Sequence, residues 1–209
     1  MSEPDAEGGS DADAAAREQW GPLQGVRVLD LTQMLAGPFA TMLLADLGAD
    51  VVKIEPPRGD STRTNPPHLT EEEAYGGYFH SVNRNKRSVV IDLKSEAGTE
   101  TLRGMVADAD VLVENFRVGT MDRLGLSYES LSEINPALVY ATIRGFGDPR
   151  SGESPYADRP AFDVIAQAMG GVMSITGTEK SGPVKVGPGV GDIVPATLCI
   201  VGVLSALHH

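Results

Sequence analysis

The sequence predicts an α/β protein with an open, mostly parallel, Rossmann-like sheet and flanking helices. Short runs of branched apolar residues alternate with longer segments in which apolar residues recur at helical spacing. A first strand, helix and strand fit within residues 26–55, and such a βαβ unit implies parallel strands. The chain is 41% apolar, which is enough to form a substantial core.

The first unit has the clearest pattern. Residues 26–31 (VRVLDL) predict a buried strand, residues 36–49 a helix, and residues 49–55 (ADVVKIE) the second strand. Gly48 marks the end of the helix, because glycine commonly follows a last helical turn. Residues 56–75 are rich in Pro, Thr and Glu and predict a long surface excursion.

Further along the chain, three more strands are predicted, at residues 87–93 (RSVVIDL), 110–116 (DVLVENF) and 138–147 (LVYATIRGFG). A helix over residues 95–109, capped at Ser95, separates the first two of these strands. Short helical pieces that stop at Pro136 precede the last one.

The segments after the fifth strand have helical patterns. Residues 163–177 predict a helix broken at Gly170 and Gly171, and residues 195–209 predict a helix that continues to the last residue. Because no stop signal follows that apolar helix, we expect an incomplete chain. Residues 1–20 are acidic and nearly free of large apolar groups, which predicts a disordered tail before a domain over residues 21–209.

Composition excludes several classes of function. The net charge of −12 argues against general binding to nucleic acid or a membrane surface, because phosphate groups repel an acidic protein. The acidic N-terminus and the short apolar runs predict no signal peptide or membrane span, so we expect a soluble cytoplasmic protein. Cys199, the only cysteine, is interpreted as a buried small apolar residue. The four histidines lack ligand spacing, and no metal site is predicted.

In open parallel sheets, ligands bind beyond the carboxyl ends of the strands. Seven polar residues follow the predicted strands at these ends: Gln33, Arg58, Lys94, Asn115, Arg117, Arg123 and Arg144. The arginines among them favour an anionic, phosphate-bearing ligand, although solvated surface arginine explains each one equally well.

The familiar signatures of nucleotide binding and hydrolysis are missing from the sequence. No G-x-G-x-x-G follows the first strand, and there is neither a P-loop lysine motif nor a G-x-S-x-G elbow. Carboxylates remain as candidate nucleophiles or bases: Asp30, Asp60, Asp163 and Asp192. Asp30 and Asp163 precede apolar segments and favour a structural role, and the pattern around Asp192 is by itself typical of a helix cap.

Several stretches resemble the family III CoA-transferases in order and spacing. They are QGVRVLDLTQMLAGPFATMLLADLGADVVKIEPPRGD, NRNKRSVVIDLK, ADVLVENFRVGTMDRLGL, INPALVYATIRGFG, RPAFDVIAQAMGGVMSITG and VGPGVGDIVPA, which together span about residues 23–209. The resemblance implies an acyl-CoA enzyme with no tightly bound cofactor, which uses coenzyme A thioesters and a small carboxylic acid as substrates. It also implies an interlocked homodimer, with a second domain and a return segment beyond His209.

The resemblance places the family's nucleophile at Asp192. Its carboxylate would attack the thioester of an acyl-CoA and form a mixed anhydride and then an aspartyl-CoA thioester. We expect the glycines before Asp192 to let the backbone approach the thioester, and the N–H groups at the helix start to stabilise an oxyanion.

The resemblance also supplies CoA-contacting positions. They are Gln33, Met34, Leu35, Ala36, Ile91, Asp92, Leu93, Lys94, Asn115, Phe116, Arg123 and Phe162, with Arg58 as a hypothesis because the family's arginine aligns with Pro56.

Phe162 also separates two branches of this fold. The related 2-methylacyl-CoA racemases have histidine at this position, and phenylalanine cannot carry a proton. The sequence therefore favours a transferase, with succinyl-CoA as donor and a dicarboxylic acid as acceptor. A racemase-like enzyme and an inactive, truncated chain that binds CoA are the alternatives.

Overall fold

A computed structural model describes residues 21–68 and 76–209. The predicted disordered tail, residues 1–20, lies outside the described residues, as do residues 69–75 of the predicted excursion. The strands are β1 (Arg27–Asp30), β2 (Asp50–Glu55), β3 (Arg87–Val90), β4 (Val111–Glu114) and β5 (Val139–Thr142). The helices are α1 (Ala36–Asp46), α2 (Gly77–Asn83), α3 (Glu96–Val106), α4 (Thr120–Arg123), α5 (Tyr128–Ser132), α6 (Asp163–Met169), α7 (Val172–Thr176) and α8 (Val190–His208).

The five strands form one sheet in the order β3-β2-β1-β4-β5, and every pair is parallel. This confirms the predicted open α/β sheet. Strand β1 lies between β2 and β4, so the direction of winding reverses there. A crevice opens beyond the carboxyl ends of β1 and β4 at such a reversal, which is where open α/β sheets bind ligands.

The sheet separates two apolar layers, because side chains of a strand alternate between its faces. On one face, Val28 and Val111 pack with Leu44 of α1 and with Ile200 of α8. On the other face, Leu29, Leu112 and Ile54 pack with residues of α3, α4 and α5. Helices α1 and α8 therefore lie on the same side of the sheet, and the first residues of both helices line the crevice.

Most predicted elements occur where the pattern placed them, and the predicted cap at Ser95 accepts a hydrogen bond from the Gly98 N–H. The sequence predicted no helix at Gly77–Asn83, where α2 packs on α1. Strand β3 ends at Val90 and not at residue 93, because Asp92 turns the chain toward α3 by accepting the Lys94 N–H.

Helix α8 begins at Val190, five residues before the predicted start. Pro195 therefore lies inside the helix, where it leaves one backbone hydrogen bond unmade. With 19 residues and a mean hydropathy of 2.0, α8 is long and apolar enough to cross a membrane, contrary to the expectation from run length. Ala196, Ile200 and Val203 of α8 are buried in the core, but only 17% of its apolar window is buried and Leu198 is 64% exposed.

Candidate active site

A cavity of about 800 Å³ occupies the crevice at the carboxyl ends of β1 and β4. Six segments line it: the loop from β1 into α1, the start of α2, the segment from β4 into α4, residues 143–145 after β5, the residues that lead into α6, and the first turns of α8. Each segment follows a strand or begins a helix, so the fold itself brings these distant parts of the sequence to one place.

Asp192 lies in this cavity as the third residue of α8. It is not the helix cap, since Gly189 precedes the helix and no side chain caps it. Within residues 21–68 and 76–209, no group donates a hydrogen bond to the half-buried Asp192 carboxylate. Burial, and then the negative charge of Asp163, raise the pKa of Asp192, while the Lys185 ammonium opposes the rise.

The glycines before Asp192 have a packing role. A Cβ on Gly191 would lie 2.8 Å from Ala166 Cβ and 3.0 Å from the Asp163 carbonyl oxygen, both in α6. A Cβ on Gly189 would lie 3.2 Å from the Leu35 side chain. These glycines therefore let the start of α8 approach α6 and Leu35 closely, and their part in the approach of a thioester stays a prediction.

The predicted oxyanion donors at the start of α8 are already occupied. The Val190 N–H donates to Pro188 O, the Gly191 N–H donates to the Asp163 carboxylate, and the N–H groups of Asp192 and Ile193 both donate to Gly189 O. Because each of these four groups has an acceptor, the expectation that they stabilise an oxyanion is wrong for this conformation.

The start of α1 offers an alternative positive end of a helix dipole. Met34, Leu35 and Ala36 line the cavity, and α1 has neither a side-chain cap nor an acidic residue in its first turn. Met34 has a φ of 70°, a conformation that costs a non-glycine residue about 1 kcal/mol or more. Such strain is typical of functional loops, and here it directs the start of α1 toward the cavity.

Asn115 holds this loop in place. Its side-chain oxygen accepts the Gln33 N–H at 2.9 Å, and its amide donates to Gln33 O at 2.7 Å. These two bonds join the end of β4 to the loop after β1. The Asn115 amide is therefore committed to the backbone of Gln33, although the residue also lines the cavity.

Three arginines on the cavity wall carry uncompensated positive charge. Arg117, Arg123 and Arg159 line the cavity, and none of them has a carboxylate within salt-bridge distance in the described part of the chain. Arg144 is different, because it binds Glu114 through two hydrogen bonds and Asp148 through another. Arg144 also lines the cavity, but its guanidinium is held by these carboxylates, whereas Arg117 and Arg123 line the cavity without a salt bridge in the described part of the chain.

Eight of the fourteen predicted site residues line one cavity: Met34, Leu35, Ala36, Asn115, Phe116, Arg123, Phe162 and Asp192. The other six lie outside its lining: Gln33, Arg58, Ile91, Asp92, Leu93 and Lys94. Ile91 is buried in the core beneath β3, whereas Arg58, Asp92 and Lys94 are exposed beyond the ends of β2 and β3. Contact of these six residues with CoA stays a prediction.

Tyr78 and Arg159 are among the cavity residues that were not predicted. Tyr78 of α2 lines the cavity, and burial together with the charges of Asp192 and Asp60 raises the pKa of this tyrosine. Arg159 lies in the segment before α6. No sequence signal indicated Tyr78, because α2 was itself unrecognised, whereas the RPAFD stretch that contains Arg159 was available as a signal.

The remaining candidate carboxylates are structural. Asp30 is fully buried and accepts hydrogen bonds from Thr32, Thr41 and Lys86. Asp60 accepts from Thr62 and pairs with the buried Lys53 at 2.9 Å. Neither carboxylate lines the cavity. The structural interpretation of Asp30 is confirmed, and Asp60 is no longer a candidate nucleophile or base.

Comparison with known proteins assigns the family. The sequence profile of CoA-transferase family III matches residues 23–209. The chain is 58% identical over 191 residues to a succinyl-CoA:mesaconate CoA-transferase of Haloarcula hispanica, and covers 48% of that protein with 90% of its own length. It is 46% identical over 187 residues to a formyl-CoA:oxalate CoA-transferase of Streptomyces avermitilis, covering 44% of it with 90% of its own length.

A crystal structure of a CAIB/BAIF family protein from Brucella suis superposes with a TM-score of 0.84 at 45% identity. That match covers 90% of this chain and 49% of the crystallised one. The chain thus spans about half the length of the relatives it matches. The match of the family profile over residues 23–209, with the shared fold, shows that the chain belongs to CoA-transferase family III.

Proposed function

We propose that the protein containing this chain is an acyl-CoA:carboxylate CoA-transferase in which Asp192 is the nucleophile. One observation carries the proposal: Asp192 lies in a cavity at the switch point of the sheet, and no group in the described part of the chain donates a hydrogen bond to its carboxylate. A carboxylate is a stronger nucleophile when fewer donors hold its lone pairs. The buried carboxylates Asp30, Glu55 and Glu114 all accept hydrogen bonds and are poor candidates by the same argument.

The proposed reaction exchanges CoA between two acids through covalent intermediates. An oxygen of Asp192 attacks the donor thioester carbon, and the C–S bond breaks to release CoA thiolate and a mixed anhydride. The thiolate attacks the Asp192 carbonyl carbon, which releases the donor acid and leaves an aspartyl-CoA thioester. The acceptor carboxylate attacks that thioester and displaces the thiolate, which then attacks the acceptor carbonyl and regenerates free Asp192.

The surroundings of Asp192 support this chemistry. Arg117, Arg123 and Arg159 supply positive charge for the phosphates of CoA or for an acceptor carboxylate. The uncapped start of α1 favours negative charge that develops on a thioester oxygen nearby. The half-buried position of Asp192 also limits hydrolysis of an anhydride by water.

Succinyl-CoA is the donor that we propose, and a dicarboxylic acid such as mesaconate is the acceptor. The support is the 58% identity to the Haloarcula hispanica succinyl-CoA:mesaconate CoA-transferase. Racemase chemistry is not favoured, because Phe162 stands where a second acid–base group is needed. The interlocked homodimer and the cytoplasmic location stay predictions.

The test uses the complete gene product incubated with succinyl-CoA. We expect a hydroxylamine-sensitive adduct on the peptide that contains Asp192, detected by mass spectrometry. Asp192→Ala should lower kcat for transfer to mesaconate by about a thousandfold or more, because alanine lacks the oxygen that attacks the thioester. Asp108→Ala, an exposed acid with 80% side-chain exposure, is the matched control and should keep the adduct. Normal transfer by Asp192→Ala would show that the assignment is wrong.

A further inference from the structure

The loop before Asp192 is held by three polar side chains that the chemistry above does not use. Gln167, which is 1% exposed, accepts the Val186 N–H at 2.8 Å through its side-chain oxygen. Asp163 accepts the Gly191 N–H at 2.8 Å, and the Lys185 Nζ lies 2.9 Å from the other oxygen of Asp163. We call Asp163, Gln167 and Lys185 the loop clamp.

The members of the loop clamp also bind one another. The Gln167 amide donates to both oxygens of Asp163, at 2.8 and 2.9 Å, which the spacing of four residues on α6 allows. The Lys185 Nζ donates to Val186 O at 2.9 Å and to Gly187 O at 3.1 Å. Both ends of the segment 185–191 are therefore fastened to one face of α6, and Asp192 follows directly.

The charges of the loop clamp also act on the ionisation of Asp192. Burial opposes the ionisation of Asp163, but hydrogen bonds from Gln167, Lys185 and the Gly191 N–H outweigh it and hold the pKa of Asp163 below its ordinary value. A fixed negative charge and a fixed positive charge thus lie near Asp192 with opposite effects on its ionisation.

Asp158 and three arginines, Arg117, Arg123 and Arg159, line the same cavity, but within residues 21–68 and 76–209 the charges that shift the pKa of Asp192 are those of Asp163 and Lys185. From α2, Asp192 faces the hydroxyl of Tyr78, which is neutral at ordinary pH. The one charged residue of α1, Asp46, lies at the far end of that helix and pairs with Arg84. Strand β5 carries no charged residue, and Arg144 beyond it is paired with Glu114.

We propose that the loop clamp positions Asp192 and sets the pH at which it becomes a nucleophile. Asp163, Gln167 and Lys185 are positioning residues, because they act through the backbone and the field at Asp192 and not on the substrate. The inference rests on the proposed function of Asp192. The inference gives a function to Asp163 and Gln167, which are four residues apart in FDVIAQ, and to Lys185 in VKVG.

The test measures the rate of adduct formation at Asp192 with succinyl-CoA as a function of pH. Lys185→Met removes the cation that favours the charged form of Asp192, so the acid limb of the profile should move to higher pH. Asp163→Asn removes the repelling charge, so the limb should move to lower pH. Lys180→Met, an exposed lysine in the neighbouring turn, is the matched control and should leave the limb unchanged.

Because the substrate is the same in every reaction, its own ionisation cancels in these comparisons. Lys185→Arg should restore the wild-type limb, since it keeps the charge. Gln167→Met removes the hydrogen bonds of Gln167 to Asp163 and to Val186 at similar volume. It should lower kcat about ten- to a hundredfold with little change in KM, because misplacement of a reacting group by about 1 Å costs rate on this scale.

The outcomes separate the two proposals. The proposal for the loop clamp alone would be overturned if the adduct forms at Asp192 but the acid limb of its pH–rate profile does not move in Lys185→Met and Asp163→Asn. Movement of the limb in the same direction in both variants would overturn it too. Absence of any adduct at Asp192 in the wild-type protein, with transfer activity intact, would instead overturn the proposed function. Opposite movements of the limb, with Lys180→Met unchanged, support the inference.

Discussion

Asp30 and Asp192 carry the same carboxyl group and differ only in what surrounds it. Although burial opposes ionisation of Asp30, the Lys86 and Lys53 charges and the donors Thr32 and Lys86 lower its pKa to about 2. Asp192 has no hydrogen-bond donor within residues 21–68 and 76–209, and burial raises its pKa. At the residue scale, hydrogen-bond donors therefore distinguish the structural carboxylate of Asp30 from that of the proposed nucleophile Asp192.

The ion pair between Asp30 and Lys86 predicts that the free energy of unfolding falls in acid. The pKa of Asp30 falls from 3.8 to about 2 on folding, so its stabilising contribution is complete above about pH 4 and is lost as the pH falls toward 2. Asp30→Asn should lower the free energy of unfolding at pH 7 by about 2 kcal/mol or more, because it also leaves Lys86 buried without a counter-ion. Urea denaturation at neutral and acid pH measures this difference.

In that experiment the gap between Asp30→Asn and wild type should narrow as the pH falls below about 4. Asp108→Asn, on an exposed side chain, should change the free energy of unfolding by no more than about 0.5 kcal/mol. A gap for Asp30→Asn that stays constant from pH 7 to acid would contradict the ionic role of this residue.

The contact between α6 and α8 decides the geometry of the site at the scale of elements. The sequence placed the start of α8 at Pro195, a residue that favours first turns. Glycines at 189 and 191 have low helix propensity, so local preference does not predict a helix there. The helix extends back to Val190 because α6 supplies an acceptor for the Gly191 N–H and a surface that only glycine can approach.

Two glycines in α8 provide a matched pair of substitutions. Gly191→Ala should destabilise the protein by about 1–3 kcal/mol and lower kcat, because its Cβ would lie 2.8 Å from Ala166 Cβ. Gly202→Ala should stabilise it by about 0.5–1 kcal/mol, because no atom lies within 4 Å and alanine favours the helix. Thermal unfolding and steady-state kinetics measure both. Equal stability of the two variants would contradict close packing between α6 and α8.

Charge is distributed unevenly over the whole molecule. The net charge is −12, yet Arg117, Arg123 and Arg159 converge on one cavity from segments that follow β4 and β5. Parallel strands place their carboxyl ends at the same edge of the sheet, which concentrates residues that are distant in sequence. An anionic substrate is therefore attracted to this cavity and repelled by the rest of the surface.

This distribution predicts that the KM for succinyl-CoA rises with ionic strength, since salt screens exposed charges. Arg123→Gln should raise that KM about tenfold with kcat nearly unchanged, because a charge-assisted hydrogen bond contributes about 1.5 kcal/mol or more. It should also weaken the salt dependence. Arg27→Gln, at the amino end of the sheet, is the control and should leave KM unchanged. An unchanged KM in Arg123→Gln would contradict binding of an anion there.

The amino-acid sequence by itself determined the class of fold. The alternation of five branched apolar runs with helical segments is a local pattern that predicts a parallel sheet with helices between its strands. The resemblance to the family led to Asp192, Phe162 and the residues of the β1–α1 loop, which lie in one cavity and whose roles stay predictions. Residues 1–20 and 69–75 lie outside the described structure, so the predicted tail is untested.

Only the tertiary structure decided which polar residues are free and which are bound. Arg123 and Arg144 are both strand-end arginines in the sequence, and they differ because Glu114 approaches only Arg144. Asp192 accepts no hydrogen bond from any described residue, whereas Asp163, 29 positions earlier, is engaged by Gln167, Lys185 and the Gly191 N–H. Hydrogen-bond partners come from distant segments, and the folded chain alone brings them within 3 Å of one another.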